Sequence, residues 1–152
     1  MATGLSVHIG LNSVDPARYE GWDGTLVACE NDAHDMARLA RTAGFETTTL
    51  LTPDGTVANV TAVLGEAAGR SAPADGRGPD AVLVSACQDD QVAADGDVNG
   101  AFTAAVLRTW DDGAYRTFHK AVQQALPRTQ RPSLYTTGSP DETFLGQRPF
   151  TI

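Results

Sequence analysis

Between Ala81 and Ala86 the chain reads AVLVSA, a short apolar run with no alternation of polar and apolar residues. A strand covered on both faces needs such a run, and strands of that kind belong to parallel sheets flanked by helices. The remaining sequence therefore has to supply partner strands and helices. Leu5 to Leu11 (LSVHIGL) alternates and carries β-branched residues, which marks a first strand. After a loop over residues 12–24, Asn31 or Asp32 can cap a helix whose Ala33, Met36, Ala40 and Ala43 share a face. Gly44 stops that helix. Phe45 to Leu51 (FETTTLL) then reads as the second strand of a right-handed β-α-β unit. From Thr56 onward, Val57, Val60, Leu64 and Ala67 recur at helical spacing.

Residues 69–79 (GRSAPADGRGP) hold three Gly and two Pro, which excludes a regular element and marks a surface linker. It divides one domain over residues 1–152 into a β-α-β-α part (1–69) and a C-terminal part (81–152), with the linker at 70–80. Beyond an acidic loop, Asn99 can cap a helix through Phe102, Ala105, Val106 and Trp110, which Asp111, Asp112 and Gly113 close. Another helix follows on Tyr115, Phe118, Val122 and Leu126, and Ser133 to Thr137 (SLYTT) is a last strand. Phe144, Leu145 and Phe150 in the tail are placed to dock on the body. The order predicts an α/β sandwich with a mainly parallel sheet of about four strands and helices on both faces.

Nineteen acids against 11 bases give a formal charge of -8, which disfavours nucleic acid and anionic membrane and suits a cationic ligand or peptide. No apolar run approaches the ~18 residues of a membrane span. The opening MATGLSVHIGLN has no basic n-region, so a secretory signal is not expected. Two cysteines in unrelated contexts point to reduced thiols in a cytoplasm rather than to a disulfide framework.

Cys29 and Cys87 each end an apolar run and precede acids, where an α/β protein presents reactive groups. Adjacent carboxylates raise a thiol's pKa, so Glu30 and Asp32 oppose a Cys29 thiolate, and Asp89 and Asp90 oppose one at Cys87. Core filler or a pocket wall is the plainer role for both. His8, the one histidine in a strand, is the base that a Cys87 nucleophile would need, although strand histidines are more often structural. His34 and His119 read as surface groups on helices. Asp32 is a helix cap or, beside Cys29, a carboxylate for a guanidinium or ammonium group. Asp89, Asp90, Asp95 and Asp97 are spaced somewhat like a calcium loop without the complete EF-hand pattern, which makes calcium the one candidate metal. No Walker loop, dinucleotide fingerprint, zinc spacing or nucleophile elbow is present.

Two islands carry a resemblance. Residues 6–45 (SVHIGLNSVDPARYEGWDGTLVACENDAHDMARLARTAGF) resemble the opening of bacterial caspase-family proteins, the metacaspase-like or orthocaspase group of cysteine peptidases, with its Cys-x-Asn-Asp-Ala helix start. Residues 82–110 (VLVSACQDDQVAADGDVNGAFTAAVLRTW) resemble that group's later strand and the helix after it, and QRPFTI resembles its usual end. The resemblance implies a three-layer caspase-like sandwich and a pocket for a basic side chain in which Cys29 and Asp32 form part of the wall. The family's base lies in a Ser-Gly-His-Gly motif and its nucleophile in an Asp-x-Cys-His-Ser-Gly motif. Neither stands in this sequence, and both would fall where GRSAPADGRGP stands.

The resemblance thus implies a shortened, catalytically inactive caspase-like domain, a pseudopeptidase or interaction scaffold with a basic peptide or protein as partner. Loss of central strands is expected to bring the first strand beside Ala81 to Ala86 and to leave an edge that favours a homodimer. Two rivals remain at this stage. One is a cysteine endopeptidase cutting after Arg or Lys, with Cys87 and His8 as its dyad, and the other is a cation-binding module on the acidic loop.

Overall fold

The computed structural model describes residues 4–71, 81–88, 93–111, 113–137 and 142–151. These fall into two compact units. One is built from residues up to Ser71 together with Asp95–Gly100, the other from the described residues between 81 and 94 and from 101 to 151.

In the first unit, β1 (Leu5–Gly10) and β2 (Glu46–Leu51) run parallel, in register from Leu5 opposite Glu46 to Gly10 opposite Leu51. A parallel pair cannot be closed by a tight turn, and α1 (Cys29–Thr42) supplies the crossover. Its contact face is made of small residues: Ala33, Ala37 and Ala40 are buried, as is Ala28 just before the helix. They let the helix lie close to the strands. A Cβ on Gly10 would run into the Cys29 carbonyl oxygen and lie 2.8 Å from the Ala33 Cβ, so only glycine fits there. Gly44, at φ +93°, ends the helix as its sequence position predicts, and its N–H donates to the Arg41 carbonyl at 3.0 Å.

The start of α1 departs from expectation. Neither Asn31 nor Asp32 caps it, because the helix already begins at Cys29, and Ala28 at the cap position has no capping side chain. The Asn12 Oδ1, from the loop after β1, accepts from the Glu30 N–H at 3.1 Å instead. A remote side chain thus does the work of a local cap.

Helix α2 (Val57–Ser71) carries Gly69, Arg70 and Ser71 within it, so the first residues assigned to the linker are helical. Arg70 makes a two-pronged ion pair with Glu46, with nitrogen–oxygen distances of 2.9 and 2.6 Å. Val63 and Ala67 face the sheet across a cavity of about 110 Å³, while Val57 and Leu64, expected on the buried face, are 85% and 50% exposed.

In the second unit, β3 (Ala81–Ser85) pairs antiparallel with β4 (Ser133–Thr137), from Ala81 opposite Thr137 to Ser85 opposite Ser133. The single mainly parallel sheet is therefore not what forms among the described residues. Four strands are present, in two two-stranded sheets, and the first strand has β2 as its ladder partner rather than the Ala81 strand. Nor is β3 covered on both faces. Leu83 and Tyr135, opposite each other in the ladder, are 61% and 59% exposed. Unbroken apolar character says nothing about ladder direction.

The helices of this unit are α3 (Ala101–Thr109), α4 (Tyr115–Ala125) and the short α5 (Glu142–Gly146). Its core holds Ala105 and Val106 from α3, Phe118 and Val122 from α4, and Leu126. The tail docks through aromatic rings: Phe144 stacks on Tyr115 at 6.0 Å between centroids, and Phe150 meets Trp110 edge-on at 6.3 Å.

Candidate functional site at the start of α1

The carboxyl end of β1 and the first turn of α1 lie together, where open α/β sheets place their ligands. Asn12 organises this corner. Its N–H donates to Thr52 Oγ1 at 2.9 Å, its side chain holds the Glu30 N–H, and its carbonyl accepts from Leu26 at 2.8 Å. The Glu30 carboxylate in turn accepts from the Thr52 N–H at 3.2 Å, and the Thr52 side chain first and this N–H second pull its pKa below the usual carboxylate value.

Residues 95–100 bind across the same turn. Asp32 Oδ1 accepts from Asn99 Nδ2 and from the Gly100 N–H, both at 3.0 Å. Asn99 Nδ2 also donates to Asp35 Oδ2 at 3.0 Å, and Arg38 pairs with Asp35 Oδ1 at 2.7 Å. Asn31 Nδ2 reaches the Val98 carbonyl at 3.0 Å, and the Val27 N–H reaches Asp95 Oδ2 at 3.0 Å. Asn99, expected to cap α3, thus turns its amide to two carboxylates of α1. Asp32 Oδ2 and Asp95 Oδ1 have no partner among the described residues.

Cys29 sits within this group, and its thiol pKa is pushed up by burial first, then by the charges of Asp95 and Asp32. Both influences disfavour a thiolate at Cys29. Of the predicted site residues, the structure thus brings Cys29 and Asp32 together with Asp95. Cys87 and His8 belong to different units. His8 is 9% exposed on β1, with its Nε2 2.6 Å from Ser6 Oγ, and burial first and Arg41 second lower its pKa. Cys87 follows β3, where its carbonyl accepts from Ser85 Oγ at 3.1 Å. His34 is exposed on α1, and His119 Nε2 lies 3.0 Å from the Pro132 carbonyl.

Asp89 and Asp90 lie outside the described residues. Among those described, no group of three His, Cys, Asp or Glu residues could hold a metal ion, and no helix is long and apolar enough to cross a membrane. Asn12 had no signal of its own in the sequence beyond its polarity, and Asn99 had only that of a helix cap.

No family model and no curated protein matches the chain. A solved structure does: protein GSU0716 from Geobacter sulfurreducens, a structural-genomics target, is 28% identical over 99% of both chains, with a TM-score of 0.87. The chain shares an α/β fold with that protein.

Proposed function

We propose that this chain is a shortened, catalytically inactive caspase-like domain, built on a reduced three-layer sandwich, that serves as a scaffold for a basic peptide. The observation that carries the reading is the corner at the start of α1, where Asp32 Oδ2 and Asp95 Oδ1 have no partner among the described residues, beside a thiol whose pKa is raised. Two carboxylates of fixed position are complementary to a guanidinium or ammonium group. The sequence supplies the negative half of the argument, since neither the base motif nor the nucleophile motif of the resembled family is present.

The test combines binding and reactivity. Nα-acetyl-arginine amide, titrated against the full chain by calorimetry, is expected to bind, with Asp32→Asn weakening it at least several-fold. Alkylation of Cys29 in a Cys87→Ala background is expected to accelerate only at a pH above that of a free thiol, and Arg and Lys reporter peptides are expected to stay intact. Reporter cleavage that disappears in Cys87→Ala would show an endopeptidase instead. Thermal stabilisation by calcium that removal of Asp95 and Asp97 abolishes would favour the acidic loop as a cation module.

A further inference from the structure

The loop between β1 and α1 carries two large rings in the open. Tyr19 is 52% exposed and Trp22, one of two tryptophans in the chain, is 64% exposed. Rings of this size bury most of their surface in a folded protein, and one of them alone at the surface needs no explanation. These two stand together. Their centroids lie 6.2 Å apart with the planes inclined at 69°. A group seated between them can lie within ~6 Å of both ring centres, the reach of a cation–π contact.

Main-chain hydrogen bonds fix the pair. The Trp22 N–H donates to the Tyr19 carbonyl and the Gly21 N–H to the Pro16 carbonyl, both at 2.9 Å, which sets the two rings on one tight turn after the short 3-10 segment Pro16–Arg18. Within that turn Glu20 holds a left-handed φ of +55°, a conformation that a side chain other than glycine rarely adopts. The loop is also tied at its base, where the Val14 N–H donates to the Asp23 carbonyl and the Leu26 N–H to the Asn12 carbonyl, each at 2.8 Å. Gly24, at φ +59°, lets the six-membered ring of Trp22 lie against the backbone, since a Cβ there would come 3.0 Å from Trp22 Cη2. The indole thus rests on the main chain and is still mostly open to solvent.

The charges of the loop select the occupant. Asp15, Glu20 and Asp23 accompany the rings, against the single base Arg18. A cation gains from the ring faces and from the carboxylates alike, whereas a neutral ring stacked there gains only from the first. A guanidinium is held best by a carboxylate that offers both oxygens. Here Asp15 Oδ1 already accepts from the Ala17 N–H at 3.0 Å, and Asp23 Oδ1 from the Thr25 N–H at 3.2 Å. An alkylated ammonium needs no acceptor and turns its charged methyl groups to the rings. We propose that Tyr19 and Trp22 form a two-walled aromatic cage for a methylated ammonium group, with Glu20 and its neighbouring acids supplying the negative field. The geometry of both walls is set before binding, which lowers the cost of ordering them. The cage shares no residue with the corner at the start of α1.

The experiment is a titration of the isotope-labelled full chain with choline and, separately, with a peptide carrying one trimethyllysine, read by magnetic resonance at the two indole N–H signals. A saturable shift at Trp22 with Trp110 unmoved is expected. Followed at the Gly21 and Gly24 N–H signals, affinity is expected to fall about two- to fivefold in Tyr19→Ala and by at least as much in Trp22→Ala. Trp22→Phe keeps a ring and is expected to retain part of the affinity, which separates a lost wall from a lost loop. Choline that binds at least as tightly as the peptide marks a free quaternary ammonium as the ligand, and a tighter peptide marks a methylated lysine; either supports the cage. No shift at Trp22 would overturn it, as would equal binding of neohexanol, the uncharged isostere of choline. Equal binding of the unmethylated lysine peptide, or affinity unchanged in both alanine variants, would overturn it as well.

Discussion

The first unit closes its core with alanines, the second with a ring and branched side chains. In α1 the buried residues are Ala33, Ala37, Ala40 and a single larger one, Leu39; in the second unit Phe118, Val122, Val106 and Leu126 fill the space. The difference follows from how each pair of strands is joined. A parallel pair is closed by its crossover helix, and here the helix comes near enough that Gly10 of β1 and Ala33 of α1 fit against each other only because they are small. An antiparallel pair makes no such demand, so α3 and α4 can hold larger side chains between them. The first unit should accordingly be sensitive to volume added, and the second to volume removed.

Phe118→Ala gives the largest expected effect, about 3–5 kcal/mol lost in denaturant unfolding, because a 4%-exposed ring leaves a cavity that its neighbours fill only in part. Gly10→Ala comes next, at about 3 kcal/mol, the upper end for overpacking, since the obstacle is a backbone carbonyl and not the end of a flexible side chain. If Phe118→Ala proved the milder of the two, the contrast between the cores would be wrong.

The same contrast explains what the sequence discloses. The β1-α1-β2 unit is legible because each step is local: alternation in LSVHIGL, helical spacing in α1, Gly44 at its end and β-branched residues in β2. The second unit depends on a pairing between strands about fifty residues apart, and nothing in AVLVS states whether SLYTT approaches it parallel or antiparallel. The candidate site divides in the same way. Cys29 and Asp32 are visible as neighbours in sequence, but the contacts that define their corner join Glu30 to Asn12 and Asp32 to Asn99, separations of 18 and 67 residues. An asparagine in a loop gives no sign of which distant carboxylate it will meet.

Two smaller effects sharpen the account of the first unit. Asn99→Ala removes the amide shared by Asp32 and Asp35 and is expected to cost about 1–2 kcal/mol, with faster hydrogen exchange at the Gly100 and Val27 N–H groups. Unchanged exchange would mean that residues 95–100 are held without it. His8 makes the unit sensitive to acid. Its pKa is lower in the folded chain than the ordinary 6.5, so below that value the unfolded chain binds more protons and stability falls with pH. The contribution is complete above 6.5 and is lost as pH drops toward the folded value. In His8→Gln this slope is expected to flatten, as urea midpoints across the acid range would show.

The smallest expected effect bears on the strand whose apolar run looked most like the middle of a sheet. Leu83 is 61% exposed and stands opposite Tyr135, itself 59% exposed, so Leu83→Thr removes only a cross-strand contact on an open face. Such pairs are worth about 0.2–1 kcal/mol, and threonine brings the β-branched shape that strands favour and leucine lacks, so the net change should stay within about 0.5 kcal/mol. A strand covered on both faces behaves differently, because burying a hydroxyl in place of an isobutyl group there costs about 2 kcal/mol or more. Loss on that scale, with Phe118→Ala as the internal yardstick, would mean that the outer face of β3 is covered in solution. A near-zero effect would mean that the run Ala81–Ser85 owes its apolar character to one packed face and to strand propensity. In that case the comparison between the units stands: alanines of α1 cover the parallel pair of the first, while the antiparallel pair of the second keeps an open face.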